Sequence, residues 1–176
     1  MSTIKVLIAF VCMTSGMTML SQSKGWHGIV PLHSTKSDVE RLLGQPNEQG
    51  GFTYDTENER VTIFYSQGTC LGGVSRWNVP KDTVVSIVVA PKTSLLLSDL
   101  KVDLNRYQKE LDAHMEGAAH YINKKDGIFI ATRTLATDEI VLFIYYQPTP
   151  ADKSLQCPSS PAPKRKSSHS MRRRWN

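Results

Sequence analysis

Apolar and polar positions follow two rhythms along this chain. From Ser34 the spacing is helical: Val39, Leu42 and Leu43 fall on one face, while Lys36, Glu40 and Arg41 point elsewhere. Thr35 is placed to cap the first turn, Asp38 completes a capping-box pair three residues on, and Gly44 followed by Pro46 stops the run. The pattern predicts a helix over 36–43. After Gly50-Gly51 the period drops to two: Phe52 and Tyr54, then Val61, Ile63 and Tyr65, separated by the polar stretch Asp55 to Glu59, predict a β-hairpin. The β-branched run Thr83 to Val89 suits a central strand, closed by Pro91. Leu100, Leu104, Tyr107 and Leu111 return to helical spacing, with Asp103 available as a cap, and predict a second helix. Ala119–Asn123, Gly127–Thr132 and Glu139–Tyr146 then read as an antiparallel meander whose first turn is Lys125-Asp126-Gly127.

Helix, hairpin, strand, helix and meander together predict an α+β fold, a small antiparallel sheet with two short helices packed on it, in one domain over residues 24–157. Two short echoes suggest a tandem helix-plus-sheet arrangement. Ile29-Val30-Pro31 matches Val88-Val89-Ala90-Pro91, and Thr62-Ile63-Phe64-Tyr65 matches Phe143-Ile144-Tyr145-Tyr146. Residues 158–176 combine prolines, serines and basic side chains with only Met171 and Trp175 as large apolar groups, the composition of a disordered tail.

Residues 1–23 carry Lys5, the apolar run Val6 to Met13 and small residues at Ser21 and Ser23, the order of a secretory signal peptide cut before Lys24. An uncleaved anchor is the rival reading, although Thr14, Ser15, Gly16 and Thr18 interrupt the roughly 20 apolar residues that a spanning helix needs. Cys12 would leave with the signal, and the pair Cys70 and Cys157 would then form a disulfide in a secreted or periplasmic protein. A reactive thiol or metal-ligand role is less natural, because neither position has a histidine or second cysteine nearby in sequence.

The segment Pro31-Leu32-His33-Ser34-Thr35-Lys36-Ser37-Asp38-Val39-Glu40-Arg41-Leu42-Leu43-Gly44-Gln45-Pro46 resembles the opening motif of the SmpA/OmlA (BamE-like) envelope proteins, a polar cap and V-x-x-L-L-G-x-P followed by a hairpin, over residues 29–65. That resemblance implies two short helices on a small antiparallel sheet, as in domains like the β-lactamase inhibitor protein, and a scaffolding or binding role. Residues 26–157 more broadly resemble uncharacterised exported proteins of the acidobacterial type, through Trp26 to Pro46, Trp77-Asn78-Val79-Pro80, Tyr121 to Gly127 and Tyr146 to Cys157. This implies secretion and a single domain, and brings no activity with it.

Composition changes the picture mainly through charge. The chain of 176 residues has a net charge of +5, but Lys164, Arg165, Lys166, Arg172, Arg173 and Arg174 lie in its last thirteen residues, and the remainder is nearly neutral. A polyanion partner is therefore a matter for the tail, where the two clusters would attract anionic lipid or acidic polysaccharide non-specifically. Phosphate contacts alone specify no nucleic-acid sequence.

Candidate chemistry is sparse. There is no G-x-S-x-G elbow, no H-E-x-x-H and no paired C-x-x-C. His114, Glu116 and His120 would meet as metal ligands only if the chain turned at Gly117; exposure is the simpler reading. Asp55, Glu57 and Glu59 read as solvated turn charges rather than a calcium loop or a glycosidase pair. Gly68, Gly72 and Gly73 are too irregular for a phosphate loop, and no cofactor is expected. Arg76, Trp77 and Asn78 form the candidate recognition segment on the body, with a core-filling Trp77 as the alternative. The leading expectation is an exported, non-enzymatic binding or structural module, its partner an unknown protein or envelope component. The alternatives are a small secreted enzyme built on dispersed His33, His114, His120 and nearby acids, or a polyanion tether working through the tail.

Overall fold

The computed structural model describes residues 25–47, 52–71 and 76–158; the leader assigned to 1–23 and the basic clusters at 164–166 and 172–174 lie outside the described residues. One seven-stranded antiparallel sheet organises the molecule. Its strands are β1 (Thr53–Asp55), β2 (Glu59–Tyr65), β3 (Val84–Pro91), β4 (Gln108–Leu111), β5 (Ala118–Asn123), β6 (Ile128–Leu135) and β7 (Asp138–Tyr146), in spatial order β1-β2-β3-β7-β6-β5-β4. Two meanders, β1 to β3 and β4 to β7, thus meet where β3 pairs with β7.

The first helix, α1 (Lys36–Leu43), has the expected bounds. Thr35 accepts from the Asp38 amide and Asp38 accepts from the Thr35 amide, so two N-terminal donors that an open helix end would strand are satisfied reciprocally. The hairpin, the Thr83–Val89 strand and the final meander also form where the alternation places them. Gly127 turns β5 into β6 at φ +68°, and a Cβ there would stand 2.2 Å from the Gln147 carbonyl oxygen, so only glycine fits.

The second helix does not form. Residues 97–106 fold into two 3₁₀ turns, Leu97–Leu100 and Leu104–Arg106, and the chain then enters strand β4. Lys101 takes a left-handed conformation between the turns, and the Asp103 carboxylate accepts from the Asn105 amide, a local bond that competes with helix propagation. Leu100 and Tyr107 pack on the core, whereas Leu104 and Leu111 are exposed, so the apparent stripe was never one buried face. The expected small sheet carrying two helices is therefore corrected to a dominant sheet carrying one α-helix and 3₁₀ turns among the described residues, within a mixed α+β fold. Of the two echoes, the first falls on dissimilar elements, Ile29–Pro31 in a turn region and Val88–Pro91 inside β3, whereas Thr62–Tyr65 and Phe143–Tyr146 both lie in strands, β2 and β7.

The core occupies one face of the sheet, here called the inner face. Trp26, Ile29 and Val39 close over Val61, Ile63, Ile87 and Val89, while Leu97 and its neighbours close over Ala119, Tyr121, Ile130 and Val141. Ile144 touches both clusters and makes them continuous across the β3–β7 junction. Each fully buried Ile or Val here contributes roughly 1.5–3 kcal/mol relative to exposure.

Candidate binding face and polar centres

Side chains alternate across a strand, so residues between the core positions project from the opposite, outer face. There the register aligns Thr62, Val88, Tyr145, Phe129, Ile122 and Gln108 across β2, β3, β7, β6, β5 and β4. A second row, Phe143, Ala131, His120 and Glu110, runs beside it on β7, β6, β5 and β4. Phe129 lies 4.8 Å from His120 and 6.0 Å from Phe143 between ring centroids, within the range of favourable aromatic contact. Phe64 on β2 is 49% exposed, and Phe129, Phe143, Tyr145, Val88 and Ile122 are half-buried. Six strands at the usual spacing make this band about 24 Å wide. Arg60, Arg133 and Glu110 supply exposed charge around it. The helix and the 3₁₀ turns that join the clusters serve the inner face. Period-two alternation alone does not single out this surface; its signal is that both phases are apolar or aromatic in Ile128–Phe129–Ile130 and Phe143 to Tyr146.

The Cys70–Cys157 disulfide forms, with Cα atoms 5.7 Å apart, and closes a sequence separation of 87 residues. Arg76, Trp77 and Asn78 form the middle strand of the clasp around it. The Cys70 amide donates to the Trp77 carbonyl, the Asn78 amide to the Leu155 carbonyl, and the Cys157 amide to the Arg76 carbonyl. Trp77 is half-buried and belongs to neither core cluster, Arg76 reaches the Pro158 carbonyl, and Asn78 is exposed. The backbone of this segment is thus spent on holding the two halves together, which gives it a structural task whatever its side chains contact.

Among the described residues His33 stands apart from His114 and His120, which both lie near Asp112. His33 Nε2 lies 2.9 Å from Asp152 Oδ1, at the 3₁₀ turn Pro150–Leu155. Asp152 also accepts from the Thr149 amide and hydroxyl; although burial opposes its charged form, the Thr149 amide and the His33 and Thr149 side chains hold its carboxyl below the usual range. His120, on β5, lies 3.5 Å from Asp112, whose carboxyl is held low first by the His114 amide. Among the described residues no group of three or more His, Cys, Asp or Glu side chains has the geometry of a metal site, so His114, Glu116 and His120 are not gathered around an ion.

Two polar centres were invisible to sequence reading because their members lie far apart in the chain. At the first, Glu139 accepts from Lys109, from Tyr121 at 2.9 Å and from Thr132 at 2.8 Å, while the Lys109 ammonium sits 5.1 Å from the Tyr121 ring centroid. Burial works against the Glu139 charge, but these donors win and keep its carboxyl low. Donors from three strands engage both oxygens of that carboxylate, so Glu139 ties β4, β5 and β6 to β7. At the second, Trp26 Nε1 donates to Glu59 at 3.2 Å beside a cavity of about 570 Å³. Glu59 is thereby more than a solvated turn charge, and Glu57 shares the cavity wall.

No helix among the described residues is long and apolar enough to cross a membrane. No protein-family model, curated protein or solved structure matches the chain.

Proposed function

We propose that this chain is an exported, non-enzymatic binding module that docks a protein partner of the envelope or extracellular space on the outer face of its sheet. The observation that carries the reading is the aromatic band Phe129, Phe143 and Tyr145, extended by Val88, Ile122 and Phe64, on the face opposite the one that α1 and the 3₁₀ turn Leu97–Leu100 cover. An apolar, aromatic centre bordered by charge of both signs is the anatomy of a protein interface. The Cys70–Cys157 bridge suits an oxidising compartment and so supports export. His33 pairs with Asp152 while His114 and His120 lie by Asp112, so the residues of the enzyme alternative fall at two places.

The test places a photoreactive benzoylphenylalanine at Phe129, at Phe143 or, as a control over the inner-face cover, at Ser98. The expected result is one discrete protein adduct from the first two positions and none from Ser98, and a weakening of about tenfold or more by Phe143→Ser when the purified adduct partner is titrated against folded chain. Equal labelling from Ser98, or affinity unchanged by Phe143→Ser, would overturn the reading.

A further inference from the structure

The cavity beside Trp26 is separate from the outer face. It opens where the end of α1 meets the β1–β2 turn, and Trp26, His27, Leu42, Leu43, Glu57 and Glu59 form most of its wall. At about 570 Å³ it falls within the range of small-molecule sites. Its chemistry is two-sided. Leu42, 53% exposed although it sits on a helix whose Val39 is fully buried, contributes open apolar surface, and Leu43, half-buried against the core, adjoins it. Glu57 and Glu59 contribute carboxylates that have no cationic partner within salt-bridge distance among the described residues.

The surrounding charges sharpen this polarity. Lys92 donates to the carbonyl of Thr56, which lines the cavity, and its charge is engaged by Asp55 at 3.4 Å. Arg41, in the last turn of α1, is held by Asp38 at 2.8 Å. The C-terminal end of α1, where Leu42 and Leu43 lie, carries the negative pole of the helix. Trp26 fixes one carboxylate by donating to Glu59, and its own ring is locked by burial and by an edge contact with His27 at 4.5 Å. The wall is therefore rigid on the Trp26 side, apolar on the helix side and anionic along the turn.

From this arrangement we propose that the cavity binds a small organic cation, a primary ammonium or guanidinium head on a short unbranched apolar body, with the head at Glu57 and Glu59 and the body against Leu42 and Leu43. The head supplies the cation that neither carboxylate has among the described residues, and the body removes the exposed Leu42 surface from water.

Full-length chain labelled with ¹⁵N reports on the site through the indole N–H of Trp26, which is assigned by its loss in Trp26→Phe. Hexylammonium should shift this resonance saturably, while hexanol and hexanoate at the same concentrations should bind at least several-fold more weakly. Glu57→Gln removes an exposed charge without touching the core, and should weaken hexylammonium about fivefold while leaving the melting temperature unchanged. Leu42→Ser should weaken it as well. Absence of a saturable shift, equal binding of hexanol, or indifference to Glu57→Gln would each overturn the proposal, and none of these bears on the outer face.

Discussion

Asp152 ties together segments more than a hundred positions apart, and the tie is electrostatic as well as geometric. Its carboxylate serves the Thr149 amide, the Thr149 hydroxyl and His33 while the residue itself is 6% exposed. Asp152→Ala strands the Thr149 donor in a buried place and should cost about 1–3 kcal/mol, measured by urea unfolding at neutral pH. The pH dependence has a definite sign. Asp152 and Glu139 both have carboxyls lowered in the folded state, so the stability they add is present above the unfolded pKa, about 4, and drains away as pH falls through the lower folded values. Wild-type unfolding free energy should therefore drop as pH falls below about 4, and Asp152→Ala should lose less on the way down. Parallel losses in the two proteins would refute the assignment to Asp152.

Among the elements, α1 illustrates how local signals suffice when they agree. Thr35, Asp38, Val39 and Gly44 each specify the same eight residues, and the structure keeps them. Thr35→Ala should cost about 1 kcal/mol through the lost cap, and Val39→Ala about 2 kcal/mol through the lost burial, as thermal or urea unfolding would measure. The strands were legible for the same reason, since alternation at Val61, Ile63 and Tyr65 has one interpretation. The Leu100–Leu111 stretch was not, because spacing cannot reveal that β5 needs an edge partner. Lys109 sits opposite Tyr121 and Leu111 opposite Ala119, pairings whose partners lie beyond any local window. The candidate sites escaped for a related cause: Trp26 and Glu59 stand 33 residues apart, and the aromatic rows assemble from four separate strands. The two edges of the sheet are short and polar, with β1 of three residues and β4 reading Gln-Lys-Glu-Leu, a composition that discourages stray strand pairing.

At the scale of the whole molecule, the disulfide is the largest single constraint. Closing a separation of 87 residues is worth up to about 4–5 kcal/mol in the chain-entropy view. Cys70→Ser with Cys157→Ser should lower the urea midpoint accordingly, with little change in the far-ultraviolet spectrum of the folded state. The bridge also falls at a particular place. Between β3 and β7 only Ile87–Tyr146, Val88–Tyr145 and Val89–Ile144 are in register, and past that point the Val141 amide turns instead to the Leu95 carbonyl. The two meanders are hinged on three rungs, and the sulfur link crosses that hinge from Cys70 in the first half to Cys157 in the second. Amide exchange should accordingly show two slow blocks parted by a faster crease at 87–89 and 144–146, and reduction should quicken exchange along the crease before either block. The bridge thus braces the outer sheet face at its narrowest seam, where only three rungs, the shared contacts of Ile144 and the hydrogen bonds of the clasp otherwise join the halves.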